Sequence, residues 1–125
     1  MHMLQMQFDH IGIPSEEPRP DETFVEATRV WVTNPREHPQ SLEFLRYEPD
    51  TTITGGLRVH PHIAFRVPPG TLDAVLEGQE VVLGPWEAQK GVVRVAFVHE
   101  CGTYIEYMEY MGDPKQWFPH ERGQK

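Results

Sequence analysis

The sequence predicts an α+β domain in which β-strands dominate and one short helix lies on the sheet. Twelve prolines and ten glycines divide the 125 residues into segments of strand length. Most of these segments are rich in β-branched or aromatic residues, whereas a single window has clear helical periodicity. The order of the segments also repeats, because twice a strand that carries a histidine is followed by a closing strand that carries a glutamate.

The predicted strands are bounded by clusters of Pro, Gly, Asn and Asp, which are typical of turns. They are Met6–Ile13, Phe24–Thr33, Ser41–Tyr47, His60–Val67, Glu80–Trp86, Val92–His99 and Thr103–Tyr110. Short turns at Ala88–Gly91 and Cys101–Gly102 connect the last three, so we expect consecutive hairpins there.

The window Thr71–Gln79 predicts the helix. Leu72, Val75 and Leu76 recur at the spacing of one helical face, and Gly78 follows as a stop signal. We expect this apolar stripe to lie on one face of the sheet.

The chain reads as a single domain, residues 1–125, with a weak internal duplication and a tail at 112–125. Module one spans about 6–50 and module two about 60–110. The separation of His10 from Glu43 is 11 positions shorter than that of His62 from Glu106, about the length of a short helix with its loop. Prolines break the stretch 15–21, so the first module is expected to have a reduced or missing helix.

Composition excludes several classes of partner and setting. The net charge is −8, from 11 basic and 19 acidic residues, and no basic stripe exists that could follow a nucleic-acid backbone. Cys101 is the single cysteine, which rules out an intramolecular disulfide and suits a reducing cytoplasm. No run approaches the roughly 20 apolar residues of a membrane span, and the N-terminus does not resemble a signal peptide. We therefore expect a soluble cytoplasmic protein.

Alternation along the strands predicts which face each polar residue occupies. Glu106 shares its face with Tyr104 and Met108, so its carboxylate needs a compensating partner if it is buried. His10 is predicted to share a face with Phe8 and Gly12. The opposite faces are apolar and suited to a covering layer.

Two imidazoles and two carboxylates are suitable ligands for one divalent metal ion, namely Zn, Ni, Fe, Mn or Co. His10, Glu43, His62 and Glu106 form this candidate set, which leaves one or two coordination positions for water or substrate oxygens. A lone strand His or Glu is more often simply hydrogen-bonded or solvated. The recurrence of all four at matched places in a duplicated pattern favours the metal site.

Three segments carry a resemblance to a known superfamily. Phe8-Asp-His10-Ile-Gly-Ile13, Pro61-His62-Ile-Ala-Phe65 and Gly102-Thr-Tyr-Ile-Glu106-Tyr-Met108 resemble the vicinal oxygen chelate superfamily. That superfamily includes glyoxalase, methylmalonyl-CoA epimerase, extradiol dioxygenases, fosfomycin resistance enzymes and metal-free bleomycin-binding proteins. The resemblance implies two βαβββ modules that form a curved mixed or antiparallel sheet around a metal cleft. It also implies one ligand on the first and one on the last strand of each module.

The function implied by the resemblance is that of a metal-dependent, glyoxalase-like lyase or isomerase. Such an enzyme transfers a proton next to a carbonyl group of a small oxygenated substrate. Glu106, with Glu43 opposite it, is the predicted catalytic pair, and His10 and His62 are predicted to act as ligands alone. If Glu43 is not a ligand, two histidines and one carboxylate remain, as in non-heme Fe(II) dioxygenases. The sequence is also compatible with a metal-free binding or resistance module and with a vestigial site.

Further residues have weaker signals. Arg66 is a candidate to bind an acidic substrate group, although surface solvation is the ordinary role of an arginine on a strand. Tyr104, Trp31 and Trp86 are candidates to line a pocket. The apolar pair Trp117-Phe118 suggests a tail that could cover a partner, and the resemblance implies a possible homodimer.

Overall fold

The structure, a computed structural model, describes residues 5–117, and in this range eight strands form one mixed sheet. The strands are β1 (Gln7–Pro14), β2 (Thr23–Val25), β3 (Val30–Val32), β4 (Leu42–Tyr47), β5 (His62–Val67), β6 (Glu80–Gln89), β7 (Val93–Glu100) and β8 (Thr103–Tyr110). The helices are α1 (Gly56–Val59) and α2 (Leu72–Leu76), with 3₁₀ turns at Pro35–Glu37 and Pro114–Gln116. The predicted α+β class is confirmed.

The order of strands in space is β2-β3-β4-β1-β5-β8-β7-β6. β1 pairs in parallel with β4, and β5 pairs in parallel with β8. β1 and β5 are antiparallel to each other and join the two halves of the sheet. The four central strands, β4-β1-β5-β8, are therefore the four strands on which the sequence places the candidate ligands.

The sheet curls into a half-barrel around a cavity. Val25 on β2 and Trp86 on β6 lie at opposite edges of the sheet, yet both line the same cavity together with Glu43 and Glu106 from the central strands. The concave face therefore contains the candidate ligands, and the edges of the sheet form the cavity walls.

The convex face is covered by α2. Leu72 and Val75 pack against Val67, Val98 and Tyr107 in one buried cluster. The helix is shorter than the predicted window, since it ends at Leu76 and Gly78 adopts a φ of +77°. The predicted helix and its apolar stripe are confirmed.

Two local predictions were wrong. The segment Phe24–Thr33 is not one strand but the hairpin β2–β3, because residues 26–29 form a turn in which Arg29 has a φ of +52°. The Arg29 guanidinium binds Glu26 and Asp50 at the surface, and residues 26–29 contain no Gly, Pro, Asn or Asp that would signal a turn. The strand expected to start at His60 begins at His62, because α1 precedes it.

The stretch between β1 and β2 contains no helix, in agreement with its prolines. In the range 5–117 no helix combines the length and apolar character needed to cross a membrane.

We predict that Leu72→Ala lowers the free energy of unfolding by about 2–5 kcal/mol, because Leu72 is fully buried between α2 and the sheet. Urea denaturation followed by circular dichroism measures this change. Leu76→Ala, at a half-buried position on the same helix, is the control and should cost less. Equal stabilities of Leu72→Ala and the wild type would show that α2 does not cover the sheet.

Candidate metal centre

The four predicted ligands converge on the concave face of the sheet. His10 Nε2 lies 3.2 Å from Glu43 Oε1 and 3.3 Å from Glu106 Oε1, and His62 Nε2 lies 3.2 Å from Glu106 Oε1. All four side chains are buried, with the two carboxylates no more than 6% exposed. One ligand atom from each of His10, His62 and Glu106 lies within 4.8 Å of the others, and Glu43 joins this group through His10.

Within the described residues, three imidazole nitrogens of this cluster lack the hydrogen bonds that buried polar atoms need, and a metal ion would provide a partner for them. His10 Nε2, His62 Nε2 and His62 Nδ1 are buried without a hydrogen-bond partner in the described part of the chain. Buried polar atoms in native proteins are rarely left in that state. Imidazole nitrogens with carboxylate oxygens are common ligands of Zn, Ni, Fe, Mn and Co. The residues therefore fit a divalent ion bound among them.

The electrostatics of the cluster favour a positive charge at its centre. Burial alone would lower the pKa of His10, but Glu43, Asp9 and Glu106 together raise it well above its ordinary value. Burial alone would raise the pKa of Glu106, yet His10 and His62 lower it. Glu106 therefore stays charged although it is buried, and its negative charge favours a cation beside it.

A β-bulge brings Asp9 into contact with His10. Phe8 lies opposite Phe65 and His10 lies opposite Ala64, so Asp9 is an extra residue between the two pairs. The bulge reverses the predicted alternation: Phe8 packs edge-on against Phe65 and is exposed, whereas His10 is fully buried. The prediction that Phe8 and His10 share a face was wrong for this reason.

Asp9 orients His10 for coordination. His10 Nδ1 lies 2.6 Å from Asp9 Oδ1, which leaves Nε2 directed at Glu43 and Glu106. A carboxylate on the far nitrogen of a histidine ligand fixes its tautomer and raises its basicity. Strict alternation places neighbouring residues on opposite faces, so the sequence carries no signal for the contact of Asp9 with His10.

Asp9 is itself held by three further groups. Arg36 donates to both of its oxygens at 3.1 and 3.0 Å, Arg66 Nε donates at 2.8 Å, and the Tyr110 hydroxyl donates at 3.0 Å. Burial opposes ionisation, but the hydrogen bonds and charges of His10 and Arg36 hold the pKa of Asp9 well below its usual range. Arg36 and Tyr110 carry no recognisable motif, since both reach Asp9 only through the folded topology.

Gly12 provides the space that His62 occupies. The two residues are directly opposite on β1 and β5, and a Cβ atom built on Gly12 would lie 2.2 Å from the His62 ring. That contact is far closer than atoms tolerate, so any side chain here must displace the imidazole.

An apolar cavity of about 110 Å³ opens beside the cluster. Glu43, His62 and Glu106 line it at one side, and most of the remaining lining is aliphatic or aromatic. Trp117 also lines it and stacks on His10, with ring centroids 5.2 Å apart and planes inclined by 16°. The Trp117 side chain is 8% exposed and packs in the core, so it does not offer the free surface predicted for a partner. Phe118 lies outside the described residues.

The structure places the weaker candidates as follows. Arg66 binds Asp9 and does not line the cavity, and its contact with a substrate stays a prediction. Tyr104 lies in an adjoining depression, in ring contact with His60 and His99, rather than in the cavity itself. Trp86 lines the cavity, whereas Trp31 donates a hydrogen bond to Glu48 away from it.

Comparison with known proteins supports the fold and gives no function. No protein-family model and no curated protein matches the sequence. Among solved structures, the chain is similar to the crystal structure of hypothetical protein BH1468 from Bacillus halodurans C-125. The two share 18% sequence identity with a TM-score of 0.63, over 86% of this chain and 96% of that one. At this identity the likeness shows the fold alone.

We predict that Gly12→Ala lowers metal affinity by tenfold or more, the range seen when a ligand's supporting contacts are lost. The new methyl group displaces the His62 ring from the cluster. Equilibrium dialysis against Zn²⁺ measures the affinity. Gly56→Ala is a matched control, because its Cβ would clash as severely, at 1.9 Å, but with the Tyr104 hydroxyl. Equal metal affinity in the two variants would contradict the role assigned to Gly12.

We predict that Asp9→Asn weakens metal binding by about 10–100-fold without removing the ligands, because His10 loses the carboxylate that orients it. Glu109→Gln is the control, since Glu109 is an equally buried carboxylate that pairs with Arg94 on the convex side. Calorimetric titration with Zn²⁺ compares the two. If Glu109→Gln loses as much affinity as Asp9→Asn, the effect is one of general stability.

Proposed function

We propose that this protein is a metal-dependent lyase or isomerase of the vicinal oxygen chelate type, acting by proton transfer next to a carbonyl group. The observation that carries the proposal is the buried cluster of His10, His62, Glu106 and Glu43 beside an apolar cavity. The sequence resemblance and the arrangement of the strands support it. In each half of the sheet the first strand lies parallel to the last, and each of these four strands supplies one member of the cluster.

His10, His62 and Glu106 would hold the ion, since their ligand atoms are mutually close and Asp9 orients the His10 ring. A divalent ion bound there supplies Lewis acidity to a substrate carbonyl. Metals that accept mixed nitrogen and oxygen ligands, Zn, Ni, Fe, Mn and Co, suit this set.

Glu43 and Glu106 are the proposed proton-transfer residues, with different positions in the cluster. The Glu106 carboxylate lies between both imidazoles, which fits the role of ligand. Within residues 5–117, His10 is the one histidine paired with Glu43. Glu43 also lines the cavity, so its carboxylate is placed to reach a substrate carbon. Tyr47 lies on the same strand face, and burial with the charges of Glu43 and Glu106 raises the pKa of its hydroxyl. Tyr47 therefore stays protonated and is a hydrogen-bond donor at the cavity wall.

A second candidate function rests on the closeness of only three ligands. His10, His62 and Glu106 without Glu43 make two histidines and one carboxylate, the arrangement of non-heme Fe(II) oxygenases. In that enzyme, as in the proposed lyase or isomerase, Glu43 would lie beside the site as a base, so the two candidates differ in the reaction and not in the ligand set.

We predict that the protein purified without chelators contains near-stoichiometric divalent metal, and that His62→Ala and Glu106→Gln lose it while circular dichroism shows the fold retained. Elemental analysis measures the content. His60→Ala is the matched control, because His60 lies two residues away at an exposed position and stacks on Tyr104. Absence of metal in the wild type after incubation with Zn, Ni, Mn and Fe(II) would reject the proposal in favour of a metal-free binding module.

We further predict that the loaded protein catalyses exchange of the carbon-bound hydrogens of hydroxyacetone with D₂O, a direct readout of proton transfer next to a carbonyl. The rate should fall by about 10²–10⁴-fold in Glu43→Gln, the usual contribution of a general base, with the metal content retained. Nuclear magnetic resonance follows the exchange, and Glu109→Gln should behave as wild type. Unchanged exchange in Glu43→Gln would remove Glu43 from the mechanism, and metal-dependent O₂ consumption with a catechol would favour the oxygenase.

A further inference from the structure

We infer that the substrate is an uncharged molecule with a small apolar body, held by adjacent oxygens at the metal and inserted into the curled sheet. This inference rests on the proposed function and adds the class of substrate to it. It excludes substrates in which a carboxylate or a phosphate must be accommodated within the cavity.

The cavity walls support an apolar body. Val30, Val32, Leu45, Val95, Trp86 and Phe97 are representative of them and come from both halves of the sheet. Burial of apolar surface against such walls is favourable in proportion to area, whereas a polar group placed there loses its hydration without a compensating hydrogen bond. The charged members of the lining, Glu43 and Glu106, lie with His62 in the cluster, so a ligand has one end at the charged cluster and one apolar end.

The size of the cavity sets the size of that body. At about 110 Å³ it is somewhat smaller than the roughly 150 Å³ apolar cavity that binds one benzene molecule in an engineered protein. A branched aliphatic group or a single ring fits in part, and a larger body extends toward the mouth.

The charge of the site supports a neutral ligand. No lysine or arginine lines the cavity in the described range, and its two carboxylates would cancel the charge of one divalent ion. An anionic group on the substrate would therefore find no unpaired positive charge at depth, and its desolvation would be unfavourable. The net charge of −8 acts in the same direction at long range.

Arg58 is the positively charged residue that would contradict this inference if it bound an anionic group of the substrate. It lies outside the cavity, in an adjoining depression, with its guanidinium 6.0 Å from the Tyr47 ring. Arg58 is only half-buried, so water screens its charge and it can attract an anion only at the mouth.

Three chelating probes test the inference with the zinc-loaded protein: acetohydroxamic acid, benzohydroxamic acid and 4-carboxybenzohydroxamic acid. They offer the same two oxygens to the metal and differ in apolar body and charge. By calorimetry we expect the benzo compound to bind at least about tenfold more tightly than the other two. Val25→Phe, a half-buried residue at the cavity edge, should remove the preference for the ring and leave acetohydroxamate affinity and zinc content unchanged.

A second measurement separates failure of this inference from failure of the proposed function. Toluene and benzoate are titrated into the chelator-treated protein, with a thermal shift as the readout. Toluene binding without hydroxamate binding would reject the metal enzyme and support the apolar, neutral site. Tighter binding of the carboxylated hydroxamate, lost in Arg58→Gln, would overturn the inference while the metal site stands. Equal affinity for all three hydroxamates, with no toluene binding, would overturn it as well.

Discussion

The antiparallel pairing of β1 with β5 is the contact on which the rest of the structure depends. It joins the two halves of the sheet, and its register places Gly12 directly opposite His62 and Ala64 opposite His10. Small residues thus face each imidazole across the strands, so two rings fit at the centre of the concave face. The parallel partners β4 and β8 then bring Glu43 and Glu106 to the same place. A register shift of one residue would turn these side chains to the opposite face.

Burial of this cluster carries a free-energy cost that the fold must offset. An uncompensated charge in a protein interior costs several kcal/mol or more. The structure supplies two kinds of compensation. On the Nδ1 side of His10, Asp9 forms ion pairs with Arg36 and Arg66. On the Nε2 side, carboxylate oxygens lie close to the imidazoles, with Glu43 Oε1 3.2 Å from His10 Nε2. A charged cluster occupies a position where an apolar core would be more stable, which is the pattern expected of a functional site.

Sequence patterns predicted the elements whose signals are local. Alternating strands, the stripe of α2 and the placement of His10, Glu43, His62 and Glu106 on four separate strands required no knowledge of long-range contacts. The hairpin β2–β3 was missed because its turn at residues 26–29 contains no Gly, Pro, Asn or Asp, and a positive φ at Arg29 has no signal in the sequence. Asp9 was missed because a single bulge shifts the alternation, and nothing in Phe8-Asp-His10 distinguishes a bulged strand from a regular one. The contact of Arg66 with Asp9 was not predicted, since its partner belongs to another strand.

The C-terminal segment contributes Trp117 to the site, although its composition suggests only a surface tail. Met111 donates its backbone N–H to the Val92 carbonyl, and Gln89 donates to the Gln116 carbonyl, so the segment is fixed against β6 and the turn that follows it. This fixes Trp117 flat against His10. The indole covers one side of the cluster, while Asp9 and its arginines close another. What remains open is the apolar cavity, whose low polarity strengthens every electrostatic interaction at its charged end. Trp117, which the sequence places in a surface tail, therefore forms part of the wall that separates the candidate metal centre from water.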